Sequence, residues 1–263
     1  MPQFTAISRD SHAGKKWQPF KNYGFASTSA LAPIVGVEIA RAALAMPLAF
    51  FQEGGRFVLV AVLSLAPNRN MLVAPDGRWL GGYVPAFLRS YPFALVPKQG
   101  TEQLLLCIDT DSGLVVEGDA AGEDFIGPDG NISPALKKAL DFLNALEGSR
   151  KATEVAVAAL AEAGVIQPWP IKLKAEQGER ALAGLHRIDE AALNALADDV
   201  FLKLRKASAL PIAYAQMLSM GQLGMFERLA RLQAQLRPPP LSALPENIDS
   251  LFELPSDEKI QFR

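Results

Sequence analysis

The side chains that most often act as nucleophile, base or metal ligand are few and far apart in this sequence. It contains one cysteine, Cys107, and two histidines, His12 and His186. Acyl-transfer sites usually need a base beside the nucleophile, and structural zinc sites need closely spaced cysteine or histidine ligands. Neither spacing occurs, and no Gly-x-Ser-x-Gly, Walker or Gly-x-Gly-x-x-Gly motif is present. The sequence therefore predicts no catalytic residue, no metal and no cofactor.

Cys107 and His186 both fall in stretches with strand character. Cys107 lies inside the apolar run Leu104-Leu105-Leu106-Cys107-Ile108, which favours a small buried hydrophobe over a reactive thiol because apolar surroundings suppress thiolate formation. His186 alternates with Leu185 in a predicted strand, and this alternation favours a solvated face.

Residues 78–93 form the most distinctive segment of the chain, because aromatic residues, arginines and prolines are packed closely there. Tryptophan, tyrosine and arginine supply large contacts at little entropic cost, so the segment could form a rigid recognition surface. The same aromatics could instead pin a strand and a short helix into the core. The candidate binding residues of this segment are Trp79, Tyr83, Arg89, Tyr91 and Phe93.

Residues 104–136 contain seven aspartates and glutamates and no lysine or arginine. Asp109 and Asp111 are the candidate binding residues here. An EF-hand is excluded, because Gly113 comes one position too early after Asp109 and Ala120 takes the place of the bidentate glutamate. A solvated acidic loop, a partner-binding face and a cation site are the three alternatives.

The residues of segment 78–93 also carry a family resemblance. Trp79, Tyr83-Val84-Pro85, Arg89 and Pro92-Phe93 are similar to the W-x-x-x-Y-V-P-x-x-x-R-x-x-P-F signature of the SapC family. The similarity extends from roughly Tyr23 to Leu232 and includes Pro47 to Phe50, Asn70, Cys107-Ile108-Asp109, Ile166 to Trp169 and Leu182 to Glu190. One departure is Gln216-Met217-Leu218-Ser219, where the resemblance leads us to expect a His-Leu-Ser-like stretch.

The resemblance implies little about chemistry. The family takes its name from a surface-layer gene region in bacteria, and relatives are often encoded near outer-membrane receptors, flavin halogenases and cupin-like oxygenases. A structural role at the cell surface is implied by the name alone. A membrane permease that shares the name is a different protein, since this chain has no predicted membrane-spanning segment.

The first half of the chain is predicted to be mainly strands. Residues 57–65 are a continuous aliphatic run typical of a central strand, and residues 103–109 with 114–117 suggest a hairpin around Gly113. Turn chemistry at Pro75-Asp76-Gly77 predicts another hairpin. Apolar spacing over residues 30–44 predicts a short helix.

The second half is predicted to be mainly helical. Ser133-Pro134 begins a helix that closes at Gly148, and a second helix follows over 153–164. Strands are predicted over 166–174 and 180–188, then helices from Asp189 and from Pro211. We therefore predict an α+β fold with a mainly antiparallel or mixed sheet, joined by the late hairpin and packed by C-terminal helices. The predicted divisions are an N-terminal arm (1–22), a SapC-like domain (23–236) and a proline-containing tail (237–263).

Composition limits the partner and the compartment. The chain has 263 residues and a net charge of -2, so it lacks the positive field that nucleic-acid binding normally uses. A polar N-terminus without an apolar core predicts no export signal and a cytoplasmic location. The leading hypothesis is a non-catalytic accessory protein that recognises a polypeptide or a partner enzyme. The alternatives are an enzyme with Asp109, Asp111 and Arg89 in one cleft, or a surface-layer component.

Overall fold

The computed structural model describes residues 3–118, 120–175 and 178–236, with the backbone alone described for 172–175 and 178–182. Antiparallel strands and helices share the chain, which confirms the predicted α+β class. Within these ranges no helix is both long enough and apolar enough to cross a membrane. The predicted tail, 237–263, lies outside the described residues.

Thirteen strands and eight α-helices are described. The strands are β1 (Phe4–Ala6), β2 (Lys15–Trp17), β3 (Leu31–Pro33), β4 (Leu48–Glu53), β5 (Arg56–Val62), β6 (Phe93–Pro97), β7 (Leu104–Asp109), β8 (Val115–Glu117), β9 (Glu123–Asp124), β10 (Ile166–Pro168), β11 (Ile171–Ala175), β12 (Gly178–Leu182) and β13 (Leu185–Ile188). The helices are α1 (Arg9–His12), α2 (Ile39–Ala45), α3 (Ala86–Arg89), α4 (Pro134–Glu162), α5 (Glu190–Asn194), α6 (Asp198–Lys206), α7 (Ala209–Ser219) and α8 (Met225–Leu236).

The largest sheet has five strands in the order β10-β13-β4-β5-β3, all antiparallel. Gly54 and Gly55 both adopt positive φ and close the hairpin between β4 and β5. β13 pairs with β4, so the late strands return to the sheet built by the first half, as predicted. β11 and β12 pair only with each other among the described strands.

Two smaller sheets have the orders β1-β7-β6 and β8-β2-β9. Residues 1–22, the predicted N-terminal arm, supply β1 to one and β2 to the other. The predicted hairpin between residues 103–109 and 114–117 is wrong. β7 pairs with β1 and β6 on its two edges, so β8 has no free edge there and pairs with β2 instead.

α4 is one helix of 29 residues where the sequence predicts two. Its start is as predicted, because the Ser133 hydroxyl accepts a hydrogen bond from the Leu136 N–H at 3.1 Å. Gly148 does not end it. An interior glycine costs about 1 kcal/mol relative to alanine, which the buried packing on both sides of it outweighs.

The helix predicted over residues 30–44 is wrong in its first half. Residues Leu31–Pro33 are an edge strand, and Leu31 pairs with Val62 of β5. The helix begins only at Ile39. The apolar residues of Leu31–Pro33 therefore pair with the edge of β5, and this tertiary pairing overrides the helical spacing of the sequence.

Two hydrophobic cores lie along α4. The larger core covers the five-stranded sheet and includes Val157 and Leu160 from the second half of the helix. The smaller core joins Leu136 and Leu143 from the first half to Phe93, Ile108 and Phe125. The segment 78–93 connects the two cores, since Trp79 and Tyr83 pack on the larger one while Phe93 belongs to the smaller.

Candidate functional site

Trp79 and Tyr83 hold the first part of the distinctive segment in place. The indole Nε1–H of Trp79 donates to the Tyr83 carbonyl at 2.9 Å, and Trp79 forms a β-bridge with Val73. The Tyr83 hydroxyl donates to the Glu38 carboxylate at 2.7 Å. Both side chains pack against the larger core. These two candidates therefore position the segment, and neither lines the two cavities that lie beside Tyr91.

Glu38 is a buried carboxylate that its sequence context did not identify as a site residue. It is 3% exposed, and its oxygens accept hydrogen bonds from Tyr83, from the Ala86 N–H at 2.8 Å and from the Val35 N–H at 3.1 Å. Burial and this carboxylate raise the pKa of Tyr83 above its ordinary value. A single glutamate inside the apolar stretch 31–51 was the visible sign of this role.

Arg89 lies at the end of α3 with its guanidinium oriented by protein contacts. Its Nε donates to the Val84 carbonyl at 3.2 Å, and its Nη2 donates to the Tyr83 hydroxyl at 3.3 Å. The guanidinium also lies over the Phe142 ring, 5.3 Å from the centroid. The side chain is exposed and forms no ion pair with any described carboxylate.

Tyr91 lies at the centre of an aromatic cluster. Its ring stacks on Phe25 with centroids 3.9 Å apart and contacts the Phe20 ring edge-on at 6.1 Å. Burial raises the pKa of Tyr91, and the neighbouring Asp109 carboxylate raises it further. The hydroxyl is therefore a donor, not a base, at neutral pH.

Tyr91 separates two cavities of similar size. The first, the α4 cavity, has a volume of about 610 Å³ and lies between β2 and the start of α4. Its charged lining residues are Arg89, Lys138 and Glu123. The remaining lining residues are mostly apolar: Trp17, Pro19, Phe20, Ser90, Tyr91, Phe93, Pro134, Ala135, Ala139 and Phe142.

The second cavity, the β7 cavity, has a volume of about 600 Å³ and lies at the end of β7. Its charged lining residues are Asp109 and Asp111. The remaining lining residues are Phe4, Phe25, Thr28, Ser29, Phe87, Leu88, Ser90, Tyr91, Phe93 and Ala94. Ser90, Tyr91 and Phe93 line both cavities, so this short stretch is their common wall.

The two aspartates differ in their surroundings. Asp109 is buried, and its Oδ1 accepts hydrogen bonds from the Gln3 N–H at 3.1 Å and the Asp111 N–H at 3.2 Å. Asp111 is exposed at the rim of the β7 cavity. Asp109 therefore ties the N-terminal segment and the turn after β7 together, and Asp111 is the carboxylate that faces solvent.

Of the seven candidate binding residues, the structure brings four together with a fifth close by. Tyr91 and Phe93 line both cavities, Asp109 and Asp111 line the β7 cavity, and Arg89 lines the α4 cavity. Arg89 and the aspartates thus do not share one cavity. Two other acidic residues of the stretch have partners of their own: Glu117 pairs with Lys15 at 3.1 Å, and Asp129 accepts from Asn131. No cluster of three metal-ligating side chains occurs among the described residues.

The remaining chemically active side chains lie away from both cavities. Cys107 is buried, and burial raises the pKa of its thiol. His186 is half-buried against Phe57, with ring centroids 4.9 Å apart, rather than on a solvated face. His12 is buried against Phe125.

Comparison with known proteins gives one match. The family model described as SapC matches residues 7–225. No curated protein and no solved structure matches the chain.

Proposed function

This chain belongs to the SapC family, and from that premise we propose that it is a binding protein that recognises a polypeptide partner through the two cavities beside Tyr91. The observation that carries the proposal is their shared wall, Ser90 to Phe93, with a cavity of about 600 Å³ on each side. Such volumes are typical of sites that enclose ligand groups.

The pairing of two cavities favours a chain-like ligand. In an extended polypeptide, side chains on the same face are about 6.6 Å apart, so neighbouring cavities can receive alternate side chains of one segment. A compact metabolite would occupy only one of them. A protein partner of ordinary affinity would bury about 1,200 to 2,000 Å² in total, which extends well beyond these cavities.

The lining residues are also of the kind that carries binding energy. Tyr91, Phe20 and Phe25 are half-buried rings that contact one another, so they are already held in place before a partner arrives. Preorganised aromatic side chains lose little entropy on binding and dominate interface energetics.

The charged groups support binding over a reaction between carboxylates and arginine. A reaction using Asp109, Asp111 and Arg89 would need them around one substrate atom. Arg89 lies across the shared wall from both aspartates, and one Asp109 oxygen is engaged by backbone N–H groups.

Site-specific photo-crosslinking tests the proposal. A benzophenone amino acid replaces Tyr91 in the chain expressed in its native host, and the matched control carries it at Tyr214, an exposed aromatic on α7. We expect irradiation to give one dominant cross-linked polypeptide at position 91 and not at 214, and mass spectrometry identifies it.

Two results would overturn the proposal. One is an identical cross-link pattern at the two positions. The other is a protein that purifies alone, gives no cross-link at position 91, and carries a small molecule in the cavities.

A further inference from the structure

We propose that the α4 cavity is the anchoring subsite of the proposed binding function, and that it takes a large apolar side chain, preferably aromatic, next to a carboxylate of the partner polypeptide. The partner segment is therefore acidic and aromatic. This inference depends on the proposed function and adds the chemistry of the ligand.

The walls of the α4 cavity suit a ring. Trp17 and Phe93 meet edge to face, with centroids 4.8 Å apart and planes at 87°. Phe142 closes another side of the same cavity, with the Arg89 guanidinium over its ring. Aromatic pairs prefer these offset and edge-on geometries, so a further ring from a partner extends a packing already present.

The charge of the cavity favours an anion beside that ring. Arg89 and Lys138 are exposed lining residues, and neither lies within 4.0 Å of a carboxylate in the part of the chain that the structure describes. Glu123 is the one acidic lining residue, so cations exceed anions by two to one. Arginine binds a carboxylate through parallel N–H donors, and Arg89 is held in orientation by Val84 and Tyr83.

Trp17 provides an independent observation. Its Nε1–H is buried and has no acceptor among the described residues, although its ring lines the cavity. Buried donors in native proteins almost always have a partner, and an exception requires an explanation. Because this N–H is out of contact with solvent, a carboxylate or a backbone carbonyl of a bound segment supplies the missing acceptor only when the indole turns toward the cavity.

The other side of the shared wall has the opposite charge. The only charged lining residues of the β7 cavity are Asp109 and Asp111. A segment with acidic residues at both ends is therefore disfavoured, because like charges facing each other across an interface reduce affinity. The carboxylate of the segment belongs over Arg89 and Lys138.

Peptide selection against the full chain tests this inference. A phage library of random 12-residue peptides is panned on the immobilised protein, with counter-selection on the Lys138→Glu variant. We expect enrichment of sequences with an aromatic residue beside aspartate or glutamate. The affinity of a selected peptide is then measured by calorimetry for the wild type and for charge-reversed variants.

The chain offers a closely matched control. Lys137 and Lys138 are adjacent exposed lysines on α4, but only Lys138 lines the cavity, while Lys137 pairs with Asp141 at 3.2 Å. We expect Lys138→Glu to weaken the selected peptide about tenfold, as expected for loss and reversal of a charge at an interface, and Lys137→Glu to leave it unchanged. Added salt should weaken wild-type binding.

Several outcomes would overturn the inference. These are enrichment of basic peptides, no enrichment, equal effects of the two lysine reversals, or displacement of the peptide by free phenylalanine at the same affinity. If the cross-link at position 91 persists while Lys138→Glu has no effect, the polypeptide-binding function stands and only the acidic, aromatic specificity fails.

Discussion

Tyr91 stacks face to face on Phe25, with ring centroids 3.9 Å apart and ring planes 10° apart. This contact joins the loop after β2 to the segment that carries the family signature. Tyr91 also lines both the α4 cavity and the β7 cavity, and Phe25 lines the β7 cavity. The stack therefore contributes both to the stability of the fold and to the shape of the site, and suitable substitutions can separate these contributions.

Tyr91→Ala should reduce stability and weaken binding of the selected peptide, whereas Tyr91→Phe should retain most of both. The alanine variant loses the stacked ring and leaves a cavity beside Phe25, and we expect a loss of about 2 kcal/mol because the ring is only half-buried. The phenylalanine variant keeps the ring and should lose under about 1 kcal/mol. Urea unfolding measures both values, and equal losses would contradict a role for the ring.

Glu38→Gln should destabilise the protein by about 2 to 4 kcal/mol. The buried carboxylate accepts hydrogen bonds from three donors, and an amide presents an N–H₂ group to at least one of them. Thermal unfolding should show a decrease in Tm of several degrees.

Glu53→Gln is the matched control for Glu38. Glu53 is an exposed glutamate at the hairpin after β4, and we expect a change within about 0.5 kcal/mol. If Glu38→Gln were equally mild, the buried network would not be what holds segment 78–93 in place.

Local chemistry predicted those parts of the fold that neighbouring residues determine. Ser133 and Pro134 begin α4 because an N-cap hydroxyl and a proline act within one turn. The predicted pairing of β7 with residues 114–117 was wrong because one edge of β7 is taken by β1. This strand has three residues, and its alternation is too short to recognise in the sequence. Strand edges are occupied by whichever segment tertiary packing brings near.

The same distinction applies to the candidate site. Tyr91 and Phe93 were identifiable from the sequence because residues 78–93 are dense in aromatic groups. Their partners lie in two other segments, Phe20 and Phe25 in the loop after β2 and Phe142 in α4, and converge only in the folded chain. The high number of aromatic residues in this segment does not show which of them supports the segment, as Trp79 does, and which of them faces the cavities, as Tyr91 does. The direction in which each aromatic side chain points is determined by contacts such as the hydrogen bond from Trp79 to the Tyr83 carbonyl.

Gln216→Ala should cost about 2 to 4 kcal/mol in the free energy of unfolding. Gln216 is fully buried on α7; its Oε1 accepts from the Ile188 N–H at 2.9 Å, and its Nε2 donates to the Leu48 carbonyl at 3.1 Å. Alanine leaves both backbone groups without a partner in the interior. Urea unfolding measures the loss.

Gln216→His should cost less than Gln216→Ala. The resemblance to the SapC family leads us to expect histidine in this stretch, and a neutral imidazole has one donor and one acceptor nitrogen, as the amide does. The variant should therefore retain part of the link between β4 and β13. A histidine variant as unstable as the alanine variant would show that the amide geometry, and not its donor and acceptor, is required.

Stability below neutral pH should depend on His12. The side chain is 4% exposed, and burial, followed by the charge of Lys15, lowers the pKa of His12 below its ordinary value. At pH 7.5 and above, His12 is neutral in both the folded and the unfolded chain. As pH falls below about 6.5, the unfolded chain binds a proton before the folded chain does, so folding loses stability until the folded pKa is passed.

His12→Phe isolates this effect because phenylalanine keeps a ring against Phe125 and cannot titrate. The contact in question places the His12 and Phe125 rings 4.9 Å apart. The stability of wild type relative to the variant should be constant above about pH 7.5 and should decrease as pH falls from about 6.5 through the folded pKa, by about 1.4 kcal/mol for each unit that separates the folded and unfolded pKa values. Urea titrations of both proteins at several pH values give this difference directly, because every other titrating group is common to the two chains. Parallel curves of the free energy of unfolding against pH would show that the pKa of His12 is the same in the folded and the unfolded chain.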